Sequence, residues 1–300
     1  MLEFTRLTLD DINEIRAYFP YSLNRICDNT VGGAFMWRDY FSVEYAVHDD
    51  TVIFKAQVTY HKNVTAFAPP LGKDFLGGVN KIIEYCRCHD LQIIFFNVTD
   101  EDAALLKTAF SGFQISKEED WSDYLYHASD LVTLAGRKFS GQRNHINYFN
   151  KTHENYSFEA ISKDNIADVM DFYLKFSDKM NKGSRIFAEE HSKTVEVLEN
   201  YNAYGMLGGL LRVDGSVIAF SLGEVINDVL FIHVEKADLQ YRGAYQVINN
   251  EFAKRFCSEG VKFVNREEDV GDEGLRISKK SYHPCQIIEK YIVVCAECCV

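Results

Sequence analysis

The sequence predicts an α/β fold of the mixed (α+β) kind, built as two successive units, and three observations predict it. Residues 205–213, 216–225 and 229–235 read as strands, and Asp214-Gly215 and Asn227-Asp228 between them are two-residue turn signals, so an antiparallel meander is expected. Apolar residues at helical spacing accompany strand-like runs in both halves of the chain. The third observation is composition: 300 residues, 47% hydrophobic and 14% aromatic, with 22 Phe and 17 Tyr, supply one large core or two moderate ones. Such a chain is globular, and disorder is excluded.

Each element follows from local pattern. Residues 52–58 alternate as a strand, and Phe67-Ala-Pro-Pro-Leu-Gly72 breaks it. Phe75, Leu76, Val79, Ile82, Ile83 and Cys86 then share one helix face. Residues 92–98 form a short, continuously apolar strand. Residues 100–110 read as a helix with Asp100 near its cap and Gly112 past its end, and 124–126 as a strand. A connecting helix is expected over 136–153, with Phe139, Ile146 and Phe149 on one face. A strand at 157–161 opens the second half. A stripe through Ile166, Val169, Met170, Tyr173 and Phe176 and a helix over 189–201 follow. After the meander comes a helix carrying Tyr245, Ile248, Phe252 and Phe256 on one face, then a strand at 262–265 and a last strand over 286–295. The expected division is 1–135, a connecting helix at 136–155, and 156–300.

Several function classes are set aside by composition. No apolar run approaches the roughly 20 residues that span a bilayer. Residues 1–10 lack a basic-then-hydrophobic leader, so a cytoplasmic location is expected. Eight cysteines in so long a chain suit reduced thiols better than a disulfide framework. Cys295-Ala-Glu-Cys298-Cys299 resembles half of a zinc site, but no second pair of ligand spacing accompanies it, and no metal is expected. A net charge of −12 argues against a general nucleic-acid binder while permitting a local basic cleft. Oligomeric state is not legible.

The most suggestive segment for chemistry is the turn after the meander, Gln240-Tyr241-Arg242-Gly243-Ala244, which passes from a strand into a helix. Such a turn presents backbone N–H groups at the positive end of the helix dipole, a geometry that receives phosphate. Arg242 adds a fixed charge, and Gly243 permits close approach. An ordinary βα turn reads the same way. On the connecting helix, Lys138 and Arg143 either hold an anionic group in a cleft or lie over apolar surface with wet charges.

The order of elements, ending in this turn, looks like the GCN5-related N-acetyltransferase fold. That family's loop reads Arg/Gln-x-x-Gly-x-Gly/Ala, and here Tyr245 stands in place of the second small residue. Two longer runs resemble an uncharacterised bacterial family grouped with the C-terminal domain of phosphatidylglycerol lysyltransferases. They are Leu134-Ala-Gly-Arg-Lys-Phe-Ser-Gly-Gln-Arg-Asn-His-Ile-Asn147 and Asn265-Arg-Glu-Glu-Asp-Val-Gly-Asp-Glu-Gly-Leu-Arg-Ile-Ser-Lys-Lys-Ser-Tyr-His-Pro284. The resemblance implies two tandem acetyltransferase-like domains, each a mixed, mostly antiparallel sheet flanked by helices, with a distant relation to Fem-type aminoacyltransferases. It implies acyl or aminoacyl transfer to an amine or hydroxyl, from a coenzyme A thioester or an aminoacyl-tRNA. Transfer RNA is then a candidate partner, and membrane lipid a weaker one because acidic bodies are repelled by anionic surfaces. The alternative is a non-catalytic ligand-binding protein on the same fold.

Transfer to an amine needs an anchored donor, a proton acceptor and a stabilised oxyanion. Gln240, Tyr241, Arg242, Gly243 and Ala244, with Lys138 and Arg143, are the candidates for the donor's anionic part. Glu267, Glu268 and Asp269 follow a strand end and supply candidate bases, and Tyr282 a proton donor. Asn144, Asn147, Asn265, Lys279 and His283 are candidates to line the cleft. A solvated acidic loop, paired with Arg266, Arg276 or Lys279, is the competing reading of the acids.

Overall fold

The computed structural model describes residues 2–110, 112–178 and 184–295. The chain forms two compact units, both discontinuous in sequence: residues 1–123, 268–271 and 288–300 in the first, 124–267 and 272–287 in the second. The 136–155 segment lies within the second.

The first unit is built on a sheet of strands β1 (Thr5–Arg6), β2 (Glu44–His48), β3 (Thr51–Tyr60), β4 (Lys62–Phe67), β5 (Leu71–Gly72), β6 (Ile94–Val98) and β7 (Phe113–Lys117), joined by β15 (Tyr291–Cys295) from the far end of the chain. Their order is β1-β2-β3-β4-β6-β15-β7, with β5 beside β3. Pairing is antiparallel except between β4 and β6. The Phe75–Cys88 helix starts where Asp74 accepts from the Gly77 amide. Of its expected apolar face, Val79, Ile82, Ile83 and Cys86 close a core with Phe67, Phe95 and Val293 and Phe75 packs against it, whereas Leu76 is exposed. The Asp100–Leu106 helix is capped one residue earlier than expected. Thr99 and Asp102 form a reciprocal capping box, which leaves Asp100 in the first turn.

The second unit has β8 (Asp123–His127), β9 (Tyr156–Ala160), β10 (Leu207–Val213), β11 (Ser216–Ile226), β12 (Val229–Ala237), β13 (Phe263–Asn265) and β14 (Gln286–Ile288), ordered β14-β8-β13-β12-β11-β10-β9. The meander β10–β11–β12 is antiparallel, as its turn signals require; Asp214, Gly215 and Asn227 all take positive φ. β13 runs parallel to β12. The Ala244–Phe256 helix lays Val247, Ile248, Phe252 and Ala253 on this sheet over two adjoining cores.

The single strand expected over 286–295 is in fact two, β14 and β15, in different sheets. The charged pair Glu289-Lys290 interrupts the apolar run, and Lys290 is buried among carboxylates. Cys295 is buried on β15, whereas Cys298 and Cys299 lie outside the described residues.

Candidate active site

The parallel pair β12–β13 is short. It runs through Val229↔Phe263, Leu230↔Val264 and Phe231↔Asn265 and then ends, although β12 continues to Ala237 against β11. The β11–β12 register shifts at this same level: Leu222 pairs with Val234 and Gly223 with Ile232, so His233 is the extra, bulged residue on β12. The backbone chains part here, and charged side chains from both span the gap. Parallel strands in α/β sheets commonly accept ligands beyond their carboxyl ends, because the backbone there has no further partner strand.

His233, on β12, lies at the centre of one such bridge. Its Nδ1 is 2.7 Å from Glu267 Oε1 and its Nε2 is 2.9 Å from Glu224 Oε1, with the imidazole side chain only 1% exposed. Burial by itself lowers a histidine's pKa, but the hydrogen bonds and charges of Glu224 and Glu267 outweigh it and raise it to about 10. At neutral pH the ring is therefore an imidazolium donating from both nitrogens. It orients two carboxylates and is not itself a base. Glu267 adopts a left-handed backbone (φ 58), fixed by its amide donating to Asn265 Oδ1 at 2.6 Å.

A second bridge joins Arg266, next after β13, to Glu235 on β12 at 3.0 Å. Glu235 also accepts from Asn249 Nδ2 at 3.0 Å. The Arg266 guanidinium lies 4.7 Å from the Tyr282 ring centroid and 5.9 Å from that of Tyr126. Burial drives the Tyr282 phenol far above its ordinary pKa, against the lowering field of Arg266, so it stays protonated.

The other residues singled out in the sequence fall as follows. The Gln240 amide donates to Asp238 Oδ1 (2.9 Å), and the Ala244 amide to the Tyr241 carbonyl (2.9 Å). Gly243 takes φ 96 against the Ser140–Thr152 helix, where an added Cβ would lie 2.5 Å from the His145 carbonyl oxygen. Arg242 is exposed and stacks on Tyr148 at 4.8 Å. A cavity of about 590 Å³ beside this turn is lined by Gln240 and Asp238 together with Asp168, Asp171, Lys175 and Phe172. Its charge is mainly negative. Lys138 pairs with Asp130 at 2.8 Å. Arg143 donates to the carbonyls of Leu134 and Gly136, the latter at 2.7 Å, so it caps the end of the Ala128–Thr133 helix. Asn144 and Asn147 are exposed on the Ser140–Thr152 helix. Lys279 is buried and donates to the Arg266 carbonyl at 2.5 Å, and His283 Nε2 sits 3.1 Å from the Lys138 carbonyl oxygen.

Glu268 and Asp269 belong to the first unit, unlike Glu267. Glu268 Oε2 lies 3.1 Å from the Cys27 thiol. Cys27 also contacts Asp123, by its amide at 2.7 Å and its sulfur at 3.4 Å. Lys290 Nζ lies 2.7 Å from Asp123 and 2.5 Å from Asp28. Burial opposes charge on this ammonium, yet the two aspartates hold its pKa well above normal. Among the described residues, Cys27, Asp123 and Glu268 form one cluster of metal-ligand atoms, and the Lys290 ammonium already provides a cation beside it. Asp269 is buried and accepts from the Gly271 amide at 3.0 Å.

Sequence reasoning overlooked His233, Cys27 and Lys290 and took Arg266 only as a neutralising partner. Signals existed: a histidine and a glutamate two apart on an interior strand, and a charged pair inside the last apolar run.

Comparison with known proteins agrees with this architecture. A conserved protein of unknown function from Bacteroides thetaiotaomicron VPI-5482 superposes with a TM-score of 0.89 at 34% identity, covering 99% of this chain and 100% of the other. The structure of L-PGS from Bacillus licheniformis matches with a TM-score of 0.63 at 16% identity, over 94% of this chain and 91% of that one. FemX matches with a TM-score of 0.63 at 11% identity, over 98% and 97%. An uncharacterized protein of Mycoplasmoides gallisepticum is 24% identical over 282 residues, 86% of this chain and 89% of that protein. The family model described as "Phosphatidylglycerol lysyltransferase, C-terminal" matches residues 20–294, nearly the whole chain, and the protein belongs to that family.

Proposed function

We propose that the protein transfers an acyl group, in particular an aminoacyl group, from an activated donor to an amine or hydroxyl acceptor, with the reacting centre where β12 and β13 part. The family's lysyltransferase description and the likeness to L-PGS and FemX support transfer as the reaction class. The observation that carries the placement is the buried Glu224–His233–Glu267 bridge at the end of a parallel strand pair. The imidazolium, charged at neutral pH, fixes Glu267, which is 18% exposed and so reachable by an acceptor, in position to take its proton. Carboxylates at the bridge, Glu224 and Glu267, favour a donor whose acyl part carries a positive charge, as an aminoacyl group does. Arg242, exposed on the Tyr148 ring, is a cation available to the donor's phosphate.

Mass spectrometry of reaction mixtures tests this. The protein is incubated with acetyl-coenzyme A, or with transfer RNA charged with lysine or alanine, and a panel of amines, hydroxy compounds and phosphatidylglycerol vesicles. Turnover with charged transfer RNA, lost in Glu267→Gln, is the expected result. Ligand binding by calorimetry without turnover from any donor would instead favour a non-catalytic binder, a reading the two ion-pair bridges across the gap also accommodate.

A further inference from the structure

Arg266 is held by one side of its fork only. Its Nη2 donates to Glu235 Oε1 at 3.0 Å, while its Nη1 is buried without a hydrogen-bond partner among the described residues. The side chain is 10% exposed, and the Tyr282 ring at 4.7 Å limits its rotation. The same Glu235 carboxylate fixes Asn249 through Nδ2, and Asn249 Oδ1 is likewise buried and unpartnered. Ser221, the Cα partner of Glu235 across the β11–β12 ladder, carries a third buried and unpartnered polar atom, its hydroxyl. A donor and an acceptor thus meet one carboxylate beyond the point where β12 and β13 part, with a hydroxyl on the strand residue paired to it.

An unpaired donor on a buried guanidinium is costly unless another group completes it, since the lost hydrogen bonds to water are not replaced. The group that completes it must bring an oxygen acceptor. The Asn249 oxygen beside it calls for an N–H or O–H. An α-aminoacyl ester or a thioester followed by amides presents such a pairing of carbonyl and N–H.

We propose that Arg266 is a catalytic residue whose Nη1 holds the carbonyl oxygen of the donor's acyl group and stabilises the oxyanion formed there, with Asn249 receiving an N–H of the same group. This deepens the transfer reading above and rests on it. The acceptor's nitrogen or oxygen attacks the carbonyl carbon and gives up its proton to Glu267. The carbonyl π pair moves onto the oxygen facing Arg266, then returns as the bond to the leaving ester oxygen or thioester sulfur breaks. The leaving group departs with the bond pair and takes the proton. Arg266 needs no reorganisation, because Glu235 and Tyr282 already orient it.

The test compares wild type, Arg266→Lys and Glu235→Gln in steady-state transfer from lysyl-transfer RNA, alanyl-transfer RNA and acetyl-coenzyme A, with circular dichroism as the folding control. Arg266→Lys is expected to lower kcat about 100-fold or more, the cost of losing one oxyanion donor, with KM changed less than about threefold. Glu235→Gln keeps the guanidinium but loosens it, and an intermediate loss of kcat is expected; this variant decides the matter if Arg266→Lys does not fold. Wild-type turnover with kcat within about fivefold in both variants overturns the role of Arg266 and leaves the transfer reading standing. Absence of wild-type turnover with every donor overturns both.

Discussion

The Glu224–His233–Glu267 bridge makes a quantitative demand on the pH dependence of stability. His233 titrates at about 10 in the folded protein against 6.5 for the free side chain. A pKa raised by folding stabilises the protein fully below the unfolded value and progressively less as pH climbs through the folded one. The loss therefore falls between about pH 6.5 and pH 10, with a slope of up to about 1.4 kcal/mol per pH unit. Over the window this sums to at most about 5 kcal/mol, an upper bound because two carboxylates take part in the same titration. His233→Gln abolishes the titration and should flatten the slope. Both tryptophans, Trp37 and Trp121, lie in the first unit, so their fluorescence does not follow this site. Hydrogen exchange of peptides covering β11 and β12, corrected for the intrinsic rate at each pH, reports it directly. Wild type should lose protection steadily from pH 7 to pH 9.5 and His233→Gln should not. Equal slopes in the two proteins would refute the imidazolium and, with it, the argument that His233 orients Glu267.

Other substitutions test the remaining elements. Lys290→Ala leaves the buried Asp123 and the half-buried Asp28 without their ammonium, and should cost about 3–5 kcal/mol of first-unit stability, read from tryptophan fluorescence in urea. Asp123→Asn tests the same ion pair from its other side and should destabilise by a comparable amount in the same titration. Gly243→Ala meets the His145 carbonyl at 2.5 Å with φ 96, so a loss of about 1–3 kcal/mol is expected in thermal melts of the second unit; unchanged melting would mean the turn is not packed as described. Arg143→Ala uncaps the carbonyls of Leu134 and Gly136 and should cost about 1–2 kcal/mol, with faster exchange confined to the Ala128–Thr133 helix.

How far the sequence reached depended on the range of the interactions involved. The meander, its two turns, and the helical faces at 75–86 and 166–176 were legible because strand and helix periods and turn conformations are local properties of a few adjacent residues. The strands at 44–48, 62–67 and 113–117 escaped notice, being half-exposed, polar or short, so that only pairing with neighbours defines them. Arg143 reads as a free cation in sequence because its partners are main-chain carbonyls, which no side-chain pattern reveals.

Sequence by itself determined that this chain is a mixed α/β protein with a meander feeding a glycine turn and a helix, and that acids cluster after a short strand. Tertiary structure alone decided what each acid does. Glu267 meets a histidine 34 positions away, whereas its neighbour Glu268 meets a cysteine 241 positions away. Successive residues leave a strand end in different directions, and the burial that sets charge and proton affinity depends on distant segments of the chain. Partner choice of that kind carries no local periodicity, and it is where the chemistry of this site resides.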